Sequence, residues 1–591
     1  MRILLVLFFF ITTTSLSQTD AVAKEYFKNG DYQKALFEYE KLYSKSPSNI
    51  TYINQIVSSY QQLEQYDAAE TFLQKLMARI KYPAFIVELG YNYQLKNDLV
   101  KAEFHYQQAI ATVELKASNV FAVARTFQNH SLLEEAIISY EKAMALNPDF
   151  NFNLQLAQIY GEQGNVEKMF QNYIDFAESN PSALSNIKRA INEFVNEDSN
   201  NESNILLRKI LLKKLQQEPN LLWNELLSWL FIQQKDFRKA FMQEKAIFNR
   251  QPESLNRIEE LASISSNEND NEVAIEIYNY IINTAQETET ILKAHYNLLQ
   301  LETKESSKDN FSSIKTKYSE LLQKFGVQAQ TLDLQIAYAH FMAFFLNQPE
   351  EASRFLESTL KLSLTELEKA KVKLELGDIL VLQEKFNQAL IYYTQIQRNL
   401  KNSTISQEAR YRVAKASYYK GDFKWAESQL KILKASTSQL IANDALDLKL
   451  IISDNKYEDS LQTALKLYAK ADLLSFQNRN EESIALLYKI LNDHKKEPIV
   501  AQTLYKQAQL FKLKSQFEKA MVNYERIISD FRDGILIDDA YFNLAEIYEK
   551  HLNMPEKAKA LYEQIIFNHA DSIYFVDARK RFRALRGDAI N

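Results

Sequence analysis

Alanine returns in one local setting along the first part of the chain: Ala35 in DYQKALFEY, Ala69 in YDAAETFL, Ala102 in LVKAEFHY and Ala136 in LEEAIISY, at steps of 34, 33 and 34. A fixed period of this length means stacked supersecondary units, none of which buries its apolar face alone. The 591 residues also exceed what one hydrophobic core usually serves. Nine glycines and nine prolines leave few breakers for strands or tight turns, so the units are predicted to be helical.

The residues around each alanine carry a second layer of pattern. One unit has Leu89, Gly90 and Tyr93 followed by Ala102, Tyr106 and Ala109. The first has Ala23, Tyr26, Gly30, Ala35, Tyr39 and Pro47, and the fourth has Ala124, Phe127, Ala136, Tyr140, Ala143 and Pro148. In the fifth, Met169 replaces the alanine. Small residues at Gly90 and Ala102 let paired helices approach, and the rings fill the gaps between neighbours. This pattern resembles the tetratricopeptide (TPR) helix-turn-helix repeat. The resemblance implies an all-α TPR α-solenoid, a right-handed superhelix of about 14–16 stacked units, some degenerate. Gly30, Gly164 and Gly421 fall at one recurring turn, where a residue without Cβ can end a helix in a left-handed conformation.

The period changes along the chain. Residues 18–283 read as an array of period about 34, and 284–332 as a degenerate repeat or hinge around LETKESSKDNF. Residues 333–570 read as a second array of period about 37 (Ala352, Ala389, Ala426; Ser483, Ala520, Ala558), irregular around 438–480. Residues 571–591 form a closing helix and tail, with Arg579, Lys580, Arg581, Arg583 and Arg586 as a candidate basic face for an acidic surface or anionic lipid.

The opening MRILLVLFFFITTTSLSQ has Arg2, an apolar run from Ile3 to Ile11 and small residues before Gln18, the layout of a signal peptide over 1–17. The run is shorter than the roughly 20 residues a spanning helix needs, so the mature chain is expected to be periplasmic or otherwise exported, without a transmembrane span. There is no cysteine, which removes disulfides, thiolate catalysis and lipid attachment at a cleavage-site cysteine.

Little else points to chemistry. The seven histidines never sit three or four residues apart, and HExxH, a phosphate loop and a GxSxG elbow are absent. No cofactor, metal site or catalytic residue is expected, and a formal charge of -6 gives no case for nucleic acid. The expected sites are surfaces. In TPR proteins the first helix of each pair lines the groove, which here selects Val87, Tyr91 and Gln94; Phe121, Arg125 and Asn129; Tyr411, Lys415, Tyr418 and Tyr419; and Tyr505, Gln509 and Lys512. Rings contribute area there, and amides satisfy an extended backbone.

The longer period and the ending DSIYFVDARKRF are similar to envelope TPR proteins such as the outer-membrane assembly lipoprotein BamD and the cell-division coordinator CpoB, over roughly residues 366–586. The missing anchor cysteine departs from the first, and the long N-terminal array from both. The resemblance implies a non-catalytic scaffold for protein partners in a bacterial cell envelope, with peripheral membrane contact. Alternatives are an outer-membrane-associated glycan or nutrient receptor and, if the apolar N-terminus is not a signal, a cytosolic TPR regulator.

Overall fold

The computed structural model describes residues 20–433, 438–455 and 462–588, so the predicted signal peptide over 1–17 lies outside the described residues. Among these there is no strand; helices follow one another in pairs from Tyr32–Lys45 to Pro555–Asn568, and Phe575–Arg586 closes the chain. By internal contacts the chain divides into two compact units, one through Asp236 and one from Phe237.

In the first unit the recurring alanines sit where paired helices meet: Ala35, Ala69 and Ala136 are fully buried and Ala102 nearly so. A Cβ on Gly90 would stand 2.6 Å from Tyr106 Cε1 and 3.2 Å from the Ala102 carbonyl, which is why that helix carries glycine. Met169 is accommodated in place of alanine because Gly161 faces it; a Cβ there would lie 3.1 Å from the Met169 sulfur. The polar stretch 193–201 is a connection pinned by buried Asn204, whose side chain donates to the carbonyls of Asn196 and Asp198 at 2.8 and 2.6 Å.

In the second unit Ala240, Ala274, Ala352, Ala389, Ala426, Ala520 and Ala558 occupy the same buried position. The LETKESSKDNF stretch is helical at its start and then turns through a short 3₁₀ segment, Lys308–Asn310. It joins Thr288–Glu305 to Phe311–Phe325, and Leu299, Ile314, Tyr318 and Phe341 pack together around them. The irregular region contains an extra helix, Gln439–Asn455, which packs on Thr404–Lys420 and Phe423–Leu433 and reaches Ile499–Leu513.

The turn within each pair is left-handed in both units. Gly30, Gly164 and Gly421 have φ of +81°, +73° and +86°, as the sequence predicts. Most copies of that turn use other residues: Glu64, Asn97 and Ser131 in the first unit, and Asn347, Glu384, Asn478, Ser515 and Asn553 in the second, all with φ between +51° and +62°. The steps are 34, 33, 34 and 33 from Gly30 to Gly164, then 37 and 37 from Asn347 to Gly421, and 37 and 38 from Asn478 to Asn553. In most copies the following amide donates to a carbonyl five residues back, as Asp98 does to Tyr93 and Asp422 to Ser417, both at 2.9 Å; after Asn347 and Asn553 it reaches six back, Gln348 to Met342 at 2.9 Å and Met554 to Tyr548 at 2.8 Å. That bond satisfies a helix-end carbonyl and reverses the chain, so the turn survives where glycine is absent.

Candidate interaction surface

In the first unit the predicted groove residues separate by burial. Phe121, Arg125 and Asn129 are exposed, and Tyr91 and Gln94 are half-buried. Phe121 contacts Phe150 and Phe152 edge-on, each with ring centres 5.4 Å apart, which builds an aromatic platform beside Arg125. Tyr91 stacks on His130 at 3.8 Å, and His130 Nε2 lies 3.1 Å from Glu88 Oε1. Gln94 accepts from the Tyr106 hydroxyl at 2.7 Å, and Gln128 accepts from Tyr140 at 2.8 Å, the same bond one repeat later. Val87 needs correcting: it is fully buried between helices and offers nothing to a partner.

In the second unit the first helices of successive pairs are tied by polar bonds that run one repeat along the chain. Lys293 reaches Glu259 at 2.6 Å, His340 reaches Glu375 at 2.9 Å, Arg412 reaches Asp378 at 2.9 Å and Lys506 reaches Asp472 at 2.7 Å. Lys415 adds a contact to Asp472 at 3.7 Å. Lys512 donates to Asn543 at 2.8 Å, and Arg581 of the closing helix binds Glu546 at 3.0 Å and Glu549 at 3.1 Å.

Their environment sets the charges. Burial pushes the Asp378 carboxyl up, against the opposing pull of Arg412 and the Tyr393 hydroxyl. Asp472 is also buried, but Lys415 and Lys506 together hold it below the usual aspartate range. Burial lowers His340, and its bond to Glu375 with the field of Glu375 and Asp378 outweighs that, so the imidazole is raised.

This ladder absorbs much of the predicted second groove. Lys415, Lys512 and Tyr505 are engaged with neighbouring repeats, Tyr505 donating to Asp539 at 3.2 Å, while Tyr411 is half-buried and Gln509 is exposed. Tyr418 is fully buried and Tyr419 nearly so; both are core residues rather than contacts, since the rings fill the gap towards Phe423 and Phe476. The basic ending is likewise divided. Arg581 turns inward, Arg586 pairs with Asp588, Arg583 Nε is 3.7 Å from Asp588, and Arg579 and Lys580 are exposed.

Sequence reading missed Glu88, Asp378, Asp472 and Asp539, all acids on first helices. A usable signal existed: Asp378 precedes Arg412, and Asp472 precedes Lys506, by 34 residues. Opposite charges about one repeat apart mark inter-repeat pairs.

Among the described residues no helix is long and apolar enough to cross a membrane, and no group of three His, Asp or Glu residues stands ready for a metal ion. The family model described as tetratricopeptide repeat matches residues 539–572. No curated protein sequence matches. Solved structures to which the chain is similar include Naa15/Naa10 bound to HypK-THB, at 12% identity over 97% of this chain and 94% of that one with a TM-score of 0.28. Another is the APC/C hetero-tetramer Cut9-Hcn1, at 14% identity over 97% and 98% with a TM-score of 0.20. The described residues thus form an all-α array of paired helices with a periodic left-handed turn and a buried alanine at most helix crossings, and one of its repeats, 539–572, matches the tetratricopeptide repeat.

Proposed function

We propose that the chain is an exported, non-catalytic scaffold that holds protein partners together in a bacterial cell envelope. The interaction role is carried by the first-helix faces, where Phe121, Arg125 and Asn129 in the first unit and Gln509 beside Tyr505 in the second meet solvent from rigid helices. Side chains fixed by packing lose little entropy when a peptide binds them. Export rests on the opening sequence, one arginine followed by a short apolar run and small residues. The envelope setting rests on the similarity of the C-terminal repeats to BamD- and CpoB-type proteins.

Sequencing the mature N-terminus tests export, with a start near Gln18 expected; an intact Met1 in native protein refutes it. Affinity purification from crosslinked cells, read by mass spectrometry, tests the scaffold. Recovery of defined envelope proteins is expected, and a wild-type sample that enriches none sinks the reading.

A further inference from the structure

Two second helices near the end of the second unit enclose a slot. Its walls are Phe517–Asp530 and Pro555–Asn568, its floor is the first helix Ile537–Lys550 between them, and its volume is about 780 Å³. Side-chain contacts fix the direction of each wall. At one end the Tyr548 hydroxyl donates to Glu525 at 3.2 Å, and Lys557 Nζ stands 5.2 Å from the centre of the Tyr548 ring. At the other end His569 lies 5.8 Å from Tyr541, ring centre to ring centre, and Arg532 lines the cavity just past the end of its helix. Both walls therefore run from the Tyr548 end to the Tyr541 end, opposite to the floor. From Lys557 to Asn568 the wall extends about 16 Å, or about three turns, at the rise of an α-helix.

The lining is apolar in the middle and carries a cation at each end. Ile528, Tyr541, Leu544 and Leu561 line the slot, and Ala560 leaves it open, standing where the preceding repeat carries the larger Val522. Arg532 and Lys557 are exposed and have no carboxylate partner among the described residues. Glu525, the acid of the lining, is already engaged by the Tyr548 hydroxyl. The walls are helices whose backbones are bonded within themselves, and the lining amides Asn568 and Gln564 bond each other at 2.8 Å. An extended segment finds few partners there for its backbone, whereas a helix satisfies its own. A helix laid antiparallel to the walls also sets its positive N-terminal end against their negative C-terminal ends.

We propose that this slot receives an amphipathic helix of a partner protein, about three turns long, lying antiparallel to the walls with acidic residues in its first turn beside Arg532. The proposal rests on the scaffold reading and names the chemistry of one partner. An apolar stripe on the incoming helix covers Ile528, Tyr541, Leu544 and Leu561. Its first-turn acids supply Arg532 with the counter-charge that the surrounding repeats lack, and Lys557 at the far end meets its C-terminal carbonyls. The slot lies between second helices, so it is separate from the first-helix faces of the predicted groove.

The test uses full-length protein and fluorescence anisotropy with a labelled alanine-based peptide about 16 residues long, with glutamates in its first turn and a leucine stripe on one face. Saturable binding is expected, weakened about tenfold or more when lysine replaces the glutamates or proline is placed at the centre. Ala560→Trp fills the slot and should weaken binding by about tenfold or more, and Arg532→Glu by about fivefold or more. Ser428→Trp, at the position of Ala560 in another repeat, should change it less than about twofold. All three positions are exposed, so thermal melting should find each variant as stable as wild type. Absence of binding overturns the proposal, as does equal affinity in wild type and either slot variant. Equal affinity for the proline peptide overturns it in favour of an extended segment, and displacement by micromolar dodecanoate in favour of an acyl chain. Partners crosslinked equally to wild type and Ala560→Trp would refute this inference and leave the scaffold reading standing; a wild-type sample that enriches none refutes the scaffold reading itself.

Discussion

Replacing Gly377 with alanine tests the packing rule on which the whole array depends. The added Cβ would stand 2.3 Å from Tyr393 Cε1, 2.6 Å from Cζ and 3.0 Å from Cδ1. The ring has no room to retreat: Tyr393 is buried, its hydroxyl donates to Asp378 Oδ1 at 2.6 Å, and Arg412 Nε holds the other oxygen of Asp378 at 2.9 Å. Overpacking of a filled core costs about 1–3 kcal/mol. If the ring moves far enough to break its bond to the carboxylate, another ~1.5–3 kcal/mol is lost. Alanine returns about 1 kcal/mol through its better helix propensity. With the bond broken, a net destabilisation of about 1.5–5 kcal/mol is expected. Because each repeat touches only its neighbours, the loss should be local. Native-state hydrogen exchange by mass spectrometry should show faster exchange in Glu366–Asn399 and in Thr404–Lys420 beside it, with protection in the first unit unchanged. Gly377→Ala combined with Tyr393→Leu should be less destabilising than the two single changes added, since the shorter side chain vacates the clash. Unchanged exchange in Gly377→Ala would refute the close-approach argument, and strict additivity would refute its assignment to Tyr393.

The left-handed turn gives a change in the opposite direction: Ser515→Gly at φ +55° should raise the stability of its repeat by about 0.5–1 kcal/mol, while Gly421→Val at +86° should lower it by ~1–2 kcal/mol, both read by urea melts. Asp472→Ala leaves Lys415 and Lys506 facing each other without their shared carboxylate, and a loss of about 2–4 kcal/mol is expected, moderated by the partial exposure of the lysines. Because Asp472 is held below its ordinary value, its contribution is present above the unfolded-state pKa and is lost as pH falls through the folded one; acid melts of Asp472→Asn should show a shallower decline than wild type. His340 runs the other way. Its pKa is raised, so its bond to Glu375 contributes fully below the unfolded value of about 6.5 and fades as pH rises through the folded value, a slope that His340→Gln should remove.

The fold was largely legible because it is written in small residues and in their spacing. Ala35, Ala69 and Ala102 reveal the period, since a small side chain lets paired helices approach closely, and that demand recurs in most units. The glycine at the turn was a weaker sign than the turn itself. Gly30 and Gly421 mark it, but Glu64, Ser131, Glu384 and Ser515 adopt the same backbone and could not be identified from residue type. The hydrogen bond that closes the turn belongs to the main chain, so it stabilises a left-handed residue whatever the side chain. Met169 shows the same limit. Its fit depends on Gly161 across the helix pair, a correlation visible only when the two positions are considered together.

The surface was harder to read, for a physical reason. A first-helix position can point towards solvent, the next repeat or the paired helix, and a shift of one residue turns a side chain by about 100° around the axis. Val87 and Tyr418 fall on the packed side of that division, and Phe121 and Gln509 on the open side. Charges refine the distinction. An acid with its cation one repeat away, such as Asp378 with Arg412, is occupied in holding neighbouring units in register.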